Sequence, residues 1–259
     1  MDPSRVLLVL HRPSSAENLG AVARVMKNFG LTRLLVVEPP SWGGRPRSGR
    51  GGTARQDALL RARVTARRAS DLLSRVELHP DLDSALASST WACGTTSRAV
   101  EGRPALSPRQ LAADVARRAR RGPVAVVLGE ERRGLSDAEL RRCQAVCTIR
   151  TDSGYDSMNL AQAAAVLCYE LALAAEGRGG SGTERVGGEP VRRVTAEALW
   201  ERLSALLGQV GYLNPQNPEH ILAEWRRLLD RAEPTQREVE LLLAAVRALE
   251  RALRARAGR

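Results

Sequence analysis

The sequence predicts an α/β domain with a largely parallel sheet, joined to a small all-α extension. Over about the first two thirds of the chain, short runs rich in Val and Leu alternate with segments whose apolar residues recur at helical spacing. Residues 176–190 then contain 6 glycines, a composition typical of a linker. Beyond them only helical spacing is found. We therefore expect a domain at 1–175, a linker at 176–190 and a helical extension at 191–259.

Five short apolar runs in the first part have the composition of β-strands. They are RVLLVL (5–10), RLLVVE (33–38), WACGTT (91–96), VAVVLG (124–129) and CTIRT (147–151). Helical spacing predicts helices over about 17–29, 56–73, 108–120 and 159–175. The last of these is rich in Ala and Leu, which is typical of a buried helix. Strands joined by helices favour a parallel sheet, and ligands bind beyond the carboxyl ends of such strands.

Three further helices are expected in the extension. Their segments, 195–213, 217–232 and 235–255, carry apolar residues at helical spacing. Each begins with a Thr or with an Asn-Pro pair, residue types that favour helix starts. The sequence has no internal repeat, so a repeat architecture is not expected.

The composition excludes several classes of protein. No apolar run approaches the length of about 18 residues that a membrane-spanning helix needs. The first residues have no signal-peptide cleavage site, so we expect a cytoplasmic protein. The chain has 4 cysteines without CxxC spacing and 3 histidines without an HExxH motif. We therefore expect reduced thiols and no metal site.

The chain is strongly basic, with a formal net charge of +11. Such a balance favours an anionic partner such as nucleic acid. Nine arginines lie within residues 41–75, and we favour phosphate binding over a merely solvated basic surface as their role. The candidate RNA-binding residues are Arg45, Arg47, Arg50, Arg55, Arg226 and Arg227.

Three of the predicted strands lead into glycines and small polar residues. The segments are CGTTSR (93–98), LGEERRGLS (128–136) and TDSGYDSMNLA (151–161). Glycines let a ligand approach the backbone, and three such loops in one domain indicate a single pocket. The sequence has neither GxGxxG nor a Walker A motif, so a dinucleotide-dependent oxidoreductase and a P-loop protein lack their anchor residues. The pocket suits an adenosine-bearing ligand without phosphate, and S-adenosylmethionine is one.

Three motifs carry a resemblance to a known family. They are NLGAVAR (18–24), VLGEERRGL (127–135) and DSMNLAQAAAVLCYEL (156–171). In order and spacing they resemble the signature motifs of the SpoU/TrmH group of SPOUT RNA 2′-O-methyltransferases. The resemblance extends over about residues 5–172, and residues 211–250 resemble the C-terminal helices of members that modify tRNA.

The resemblance implies a sheet whose C-terminal segment is threaded into a trefoil knot. It further implies that the knot loops hold S-adenosylmethionine, without a metal, and that a homodimer completes each site. The catalytic residues implied by the motifs are Asn18, Arg24, Glu130, Ser157 and Asn159. The residues implied to bind the cofactor are Gly94, Thr95, Thr96, Ser97, Leu128, Gly129, Glu130, Ile149, Ser157, Met158 and Asn159.

Arg24 is the arginine that the family pattern makes catalytic. Asn18 and Gly20 are expected to shape a turn at the start of its helix, which carries Arg24 towards the substrate ribose. A guanidinium stays protonated in proteins and is therefore poorly suited to act as a general base. We favour a role in which Arg24 binds the neighbouring phosphate, while that phosphate or a water accepts the proton.

The substrate implied is a cytidine or uridine at position 32 of the tRNA anticodon loop. Ribosomal RNA is the alternative substrate. The first predicted strand begins at about Arg5, without the extra N-terminal RNA-binding domain of many rRNA-modifying relatives, which favours tRNA. A catalytically silent RNA-binding protein of the same fold is an alternative of another class, and the intact motif residues argue against it.

Overall fold

The computed structural model describes residues 1–38, 54–98, 100–152, 154, 158–177, 189–213 and 218–257. The chain divides into two compact units, Met1–Glu184 and Arg185–Arg259. The division lies within the glycine-rich stretch predicted as a linker. Among the described helices, none combines the length and the apolar character needed to span a membrane.

The first unit is built on a parallel sheet of 7 strands. In chain order the strands are β1 (Val6–His11), β2 (Arg33–Val37), β3 (Glu77–His79), β4 (Trp91–Thr95), β5 (Ala105–Leu106), β6 (Val124–Leu128) and β7 (Ala145–Cys147). Their order across the sheet is β3-β2-β1-β6-β4-β7-β5, and neighbours in this order run parallel. The predicted α/β class and parallel sheet are therefore confirmed.

The central strands are buried on both faces of the sheet. All 6 residues of β1 and all 5 residues of β6 are buried, and Leu8 pairs with Val126 in their register. Alternate residues of β1 contribute to two separate apolar clusters, Leu8 to one and Leu7 to the other. Such strands have apolar residues at every position instead of at every second one.

Helices pack on both sides of this sheet. The described helices of the first unit are α1 (Ala16–Asn28), α2 (Ala54–Ala66), α3 (Ser70–Ser74), α4 (Leu82–Leu86), α5 (Pro108–Arg118), α6 (Asp137–Leu140) and α7 (Leu160–Ala175). α1, α2, α5 and α7 contribute residues to one apolar cluster, and α4 and α6 contribute to the other. The predicted buried helix at 159–175 corresponds to α7.

Two predicted elements differ in extent from those observed. The strand predicted at 147–151 is β7, which ends at Cys147, because its neighbour β5 has only two residues before α5 begins at Pro108. The helix predicted at 56–73 is divided into α2 and α3 by a 3₁₀ turn at Arg67–Ala69. Arg67 has a left-handed backbone (φ 53°), which interrupts the helix.

Gly20 lies inside α1 and does not form a turn before it. The helix begins at Ala16, with the Ser15 side chain accepting a hydrogen bond from the Asn18 backbone N–H at 3.2 Å. A Cβ atom at Gly20 would lie 2.0 Å from the Ala62 carbonyl oxygen of α2. The prediction that Gly20 shapes a turn is therefore wrong, since its missing side chain instead lets α1 and α2 approach closely.

The described part of the second unit contains three helices, as predicted. They are α8 (Arg193–Gln209), α9 (Pro218–Ala232) and α10 (Gln236–Ala257). Buried leucines and valines of α8 and α10 form its apolar core, namely Leu199, Leu206, Val239, Leu243 and Val246. Thr235 caps α10 through a hydrogen bond from the Glu238 backbone N–H (3.3 Å), whereas α8 begins at Arg193, two residues before the predicted Thr195.

Candidate functional site

The carboxyl ends of β6, β4 and β7 lie side by side, because these strands are neighbours in the parallel sheet. The Thr95 hydroxyl donates a hydrogen bond to the Val127 carbonyl oxygen (3.1 Å), and the Thr96 backbone N–H donates to the Cys147 carbonyl oxygen (3.0 Å). The loops predicted to hold the cofactor therefore begin on three consecutive strands, with the loop after β4 between the other two.

The loop after β6 folds back on itself. A Cβ atom at Gly129 would lie 2.2 Å from the Gly134 carbonyl carbon, so this position accepts only glycine without rearrangement. The Gly134 backbone N–H donates to the Glu130 carbonyl oxygen at 2.9 Å, and Gly134 itself has a left-handed backbone (φ 65°). The tight loop holds Glu130 and Glu131 beyond the end of β6.

The Glu131 carboxylate connects this loop to the start of α1. Its Oε1 accepts a hydrogen bond from the Asn18 side-chain amide at 2.7 Å. Its Oε2 accepts hydrogen bonds from the Ser14 backbone N–H (2.8 Å) and the Ser14 hydroxyl (2.7 Å). Hydrogen bonds to a carboxylate are about twice as strong as neutral ones.

Asn159 joins the third motif to the same group of residues. Its Nδ2 donates to the Asn18 Oδ1 at 3.3 Å. Its own Oδ1 caps α7 by accepting a hydrogen bond from the Ala161 backbone N–H at 2.9 Å. We refer to Ser14, Asn18, Glu131 and Asn159 as the hydrogen-bonded centre. It connects residues of all three motifs.

The carboxylate of Glu131 is held in its ionised form. Burial raises its pKa, but hydrogen bonds from Asn18 and from Ser14 lower the pKa by more, so the net pKa lies below the ordinary value. At neutral pH the centre therefore contains a fixed negative charge that accepts three hydrogen bonds.

A second set of contacts fixes the far end of the loop after β6. The Arg98 guanidinium donates to the Leu135 carbonyl oxygen (3.1 Å) and pairs with Asp137 (2.8 Å). The Arg98 backbone N–H donates to the Thr96 hydroxyl at 3.2 Å. Arg98 thereby links the loop after β4 to the loop after β6.

The segment that leads from β1 into α1 is held by charged side chains. Arg12 has a left-handed backbone (φ 52°), and its guanidinium pairs with Glu38 (2.9 Å) and with Glu139 (3.5 Å). The neighbouring His11 is buried, and burial lowers its pKa. A left-handed arginine is a conformation that the surrounding structure must enforce. These contacts hold the backbone that leads to Ser14.

Arg24 differs from the residues of the centre because its side chain is exposed. Among the described residues, none forms a hydrogen bond or an ion pair with its guanidinium. Glu17, Gly20, Arg24 and Lys27 recur at spacings of three and four residues and thus lie on one side of α1. Gly20 shows that this side faces α2.

The other predicted cofactor residues differ in exposure. Gly94 is buried, and a Cβ atom there would lie 2.9 Å from Leu140. Ile149 packs on the apolar core, while Thr95, Thr96 and Met158 are half-buried and Ser97 is exposed. Ser157 lies outside the described residues.

The predicted RNA-binding arginines are only partly described. Arg45, Arg47 and Arg50, together with the side chain of Arg55, lie outside the described part of the structure. Arg226 pairs with Glu197, and its guanidinium lies 5.4 Å from the centroid of the Trp200 ring. Arg227 lies 3.8 Å from Glu224. Arg226 and Arg227 therefore have acidic partners within their own unit.

Sequence reasoning did not single out Glu131 or Ser14. It named Glu130, which contributes its backbone to the loop, whereas the adjacent Glu131 contacts Asn18. The motif contains both glutamates, and composition alone does not distinguish them. The lone serine before the capping Ser15 carried no signal of its own.

The four cysteines are buried, and no disulfide joins any two of them. Burial raises the pKa of Cys147 and of Cys168 to about 12, so both are unreactive thiols at neutral pH. Within the described residues, no group of three or more His, Cys, Asp or Glu side chains is arranged to hold a metal ion.

Comparison with known proteins places these features in a family. Residues 5–169 match the SpoU rRNA methylase family, and residues 195–258 match the C-terminal domain of the tRNA methyltransferase TrmJ. The chain is 31% identical over 250 residues to the tRNA (cytidine/uridine-2′-O-)-methyltransferase TrmJ of Yersinia pestis (strain Pestoides F), covering 95% of this chain and 91% of that protein. It is 32% identical over 250 residues to the tRNA (cytidine/uridine/adenosine-2′-O-)-methyltransferase TrmJ of Pseudomonas aeruginosa (strain UCBPP-PA14), covering 92% and 91%.

Solved structures show the same similarity. TrmJ from Z. mobilis ZM4 superposes with a TM-score of 0.75 at 26% identity, over 94% of this chain and 98% of that chain. A methylase family protein from Neisseria gonorrhoeae superposes with a TM-score of 0.64 at 31% identity, over 76% of this chain and 93% of that chain. The chain therefore belongs to the SpoU rRNA methylase family, a family of RNA methyltransferases.

Proposed function

We propose that this protein transfers the methyl group of S-adenosylmethionine to a ribose 2′-hydroxyl of tRNA. The observation that carries the proposal is the hydrogen-bonded centre, because it joins residues of the three family motifs just beyond the carboxyl ends of the neighbouring strands β1 and β6. Two relatives that are similar over more than 90% of this chain are named as tRNA 2′-O-methyltransferases.

The loops after β4, β6 and β7 fit the proposed cofactor. None of the predicted cofactor residues is cationic, and they combine hydroxyl and backbone groups with the apolar side chains of Leu128 and Ile149. This combination suits adenosine, whereas a nucleotide phosphate would require cations or a glycine-rich phosphate loop. When bound, S-adenosylmethionine supplies a methyl group on a sulfonium, which is already activated for transfer.

The exposed guanidinium of Arg24 has the properties of a substrate-binding group. It has no partner among the described residues, so it is available to an RNA phosphate. We propose that it binds the phosphate next to the methylated ribose and positions the 2′-oxygen, while that phosphate or a water accepts the hydroxyl proton. Asn159 then acts by fixing its loop, as its contacts with α7 and Asn18 support.

A second copy of the chain is proposed to complete the site. α7 is apolar on sides that its own unit leaves open, since Ala165, Val166 and Leu173 are only half-buried and Tyr169 is 50% exposed. Tyr169 also contacts Phe29 of α1 at a ring-centroid distance of 5.9 Å. An apolar surface shared by two helices is typical of a protein interface. The threaded trefoil knot, the domain limits and a cytoplasmic location belong to the same proposal.

Labelled methyl transfer from S-adenosylmethionine tests the proposal. The substrates are unmodified tRNA transcripts and, separately, rRNA, followed by nucleoside analysis. We expect 2′-O-methylcytidine or 2′-O-methyluridine in tRNA, and no label in a transcript that carries a 2′-deoxynucleotide at position 32. Transfer to the 2′-deoxy transcript would show that the modified nucleotide lies at another position.

The Arg24→Ala variant provides the control for catalysis. We expect it to bind the cofactor like the natural protein and to transfer the methyl group about 100-fold more slowly. Transfer to rRNA alone would identify the alternative substrate. Absence of transfer to either RNA, with cofactor binding intact, would contradict the enzymatic proposal and favour an RNA-binding role.

A further inference from the structure

The outer face of α2 and the 3₁₀ turn that follows it combine arginines with exposed aliphatic side chains. Leu60 is 57% exposed and Val64 is 71% exposed. We call this face the α2 arginine surface, and it consists of Leu60, Arg61, Arg63, Val64, Arg67 and Arg68, all of which are exposed. Exposed arginines spaced between exposed aliphatic groups provide both charge and contact area for a partner.

One end of the α2 arginine surface adjoins the start of α1. The Thr65 hydroxyl donates a hydrogen bond to the Glu17 carbonyl oxygen at 2.9 Å, and the Arg61 guanidinium lies 3.9 Å from the Glu17 carboxylate. Glu17 directly precedes Asn18 of the hydrogen-bonded centre. Arg61 therefore lies beside the residues that connect the three motifs.

The other end of the α2 arginine surface adjoins the last turns of α1. Lys27 donates hydrogen bonds to the Arg68 carbonyl oxygen (2.8 Å) and to Asp71 (2.6 Å). Arg24 lies between Glu17 and Lys27 on the same side of α1, so its side chain leaves the helix where α1 borders α2. The close contact at Gly20 fixes the two helices at this distance.

Three arginines of the α2 arginine surface form no ion pair with any described residue. Among the described residues, none pairs with the guanidinium of Arg63, Arg67 or Arg68. Elsewhere in the first unit, arginines such as Arg12 and Arg33 pair with glutamates at 2.9 Å and 2.7 Å. Arg67 additionally adopts a left-handed backbone, which projects it from the end of α2. The surface therefore offers an excess of positive charge next to Arg24.

We propose that the α2 arginine surface binds the phosphates of the RNA substrate on one side of the methylated ribose. The proposal rests on the function proposed above and extends it to residues that the family motifs do not include. A polyanion is the partner favoured by the charge, because closely spaced cations such as Arg63, Arg67 and Arg68, which pair with no acidic side chain among the described residues, repel one another until an anion neutralises them. Leu60 and Val64 would contact the sugars between the phosphates.

The test compares two triple variants that remove the same charge. Arg63→Gln/Arg67→Gln/Arg68→Gln alters the surface, and Arg120→Gln/Arg121→Gln/Arg141→Gln alters exposed arginines that lie a few residues before β6 and β7. The affinity of each full-length protein for a tRNA transcript is measured by filter binding between 50 and 250 mM KCl. Titration with S-adenosylmethionine and sedimentation velocity follow cofactor binding and oligomeric state.

The surface variant should bind the tRNA about 10- to 100-fold more weakly at 100 mM salt, and its log–log salt slope should be smaller by about 2. The control variant should change both quantities by much less. Equal losses in the two variants would show that only total charge matters and would overturn the proposal. An altered oligomeric state with an unchanged salt slope would do the same, by showing that the surface binds a second copy.

Failure of the proposed function gives a different result. If the natural protein methylates no RNA but the surface variant alone loses affinity and salt slope, the RNA-binding surface stands without the enzymatic activity. If the natural protein methylates tRNA and the surface variant retains full affinity, the enzymatic activity stands and the surface proposal is wrong.

Discussion

The first turn of α1 and its middle differ in how their polar side chains are satisfied. Asn18 uses both atoms of its amide within the protein, donating to Glu131 and accepting from Asn159. Arg24, six residues later, is exposed and has no partner among the described residues. Groups that the fold already satisfies position the loops of the site, whereas the group without a partner remains available to substrate. One helix thus carries both kinds of polar group.

The sharpest test of this division compares two adjacent glutamates. Glu131→Ala removes the acceptor of three hydrogen bonds from Ser14 and Asn18. We expect a loss of about 2–3 kcal/mol in the free energy of unfolding and at least a roughly 100-fold loss of methyl transfer, because the loops shift. Urea denaturation and methyl transfer to tRNA measure the two effects. Glu130→Ala should leave stability nearly unchanged, and an equal loss of stability there would refute the assignment.

Arg24→Ala should separate activity from stability. We expect methyl transfer to fall about 100-fold, as on removal of a charged transition-state contact. The free energy of unfolding should change by less than about 0.5 kcal/mol, since an exposed side chain without a partner is removed. Methyl transfer and urea denaturation on the same preparation check this. A stability loss as large as that of Glu131→Ala would place Arg24 among the structural residues.

Gly20→Ala tests the support that α2 gives to α1. The new Cβ would meet the Ala62 carbonyl oxygen at 2.0 Å, so the helices must separate, at a cost of about 1–3 kcal/mol. Gly208→Ala is the matched control, because a Cβ there meets nothing within 4 Å and α8 should gain up to about 1 kcal/mol. Thermal unfolding of both variants should therefore shift in opposite directions. Destabilisation by both substitutions would count against the close helix contact.

Arg98→Gln should weaken the pairing of the two cofactor loops. The variant loses the hydrogen bond to Leu135 and the ion pair with Asp137. Because this pair is exposed, we expect a loss of no more than about 1 kcal/mol, which corresponds to a roughly fivefold rise in the dissociation constant for S-adenosylmethionine. Calorimetric titration measures it. Asp137→Asn retains the Leu135 contact and should have a smaller effect.

The smallest expected effect is a dependence on pH. The folded-state pKa of Glu131 lies below its ordinary value, so its contribution to stability is full above the unfolded value of about 4.3 and is lost as pH falls through the folded pKa. The difference in unfolding free energy between the natural protein and Glu131→Gln should shrink accordingly below about pH 4.5. A difference that stays constant from pH 7 to pH 3 would show that the charge of Glu131 is not involved.

Much of the fold could be predicted from the sequence because its central strands are buried on both faces. β1 and β6 are therefore continuous apolar runs, which the sequence shows directly. β3 and β5 escaped prediction, since strands of three and two residues are too short to show a pattern. The break between α2 and α3 was also missed, because it depends on the left-handed backbone of Arg67.

The motifs predicted which loops would meet but not which atoms. Asn18 and Asn159 were named and do contact each other at 3.3 Å. Between Glu130 and Glu131, only the path of the loop decides which carboxylate faces Ser14, and sequence spacing does not contain that path. The pairing of Arg226 with Glu197 could not be predicted either, since these residues are 29 positions apart in the chain and lie on different helices.

The order of the strands determines when this protein can become active during its synthesis. Asn18 and Glu131 are separated by 113 residues, and Asn18 and Asn159 by 141. At about 5–20 residues per second, Asn18 is added to the chain roughly 6 to 23 seconds before Glu131. Throughout that interval β1 lacks its central neighbour β6, because β6 is synthesised just before Glu131. An unfinished chain therefore cannot assemble the hydrogen-bonded centre, which is complete only after the third motif has emerged.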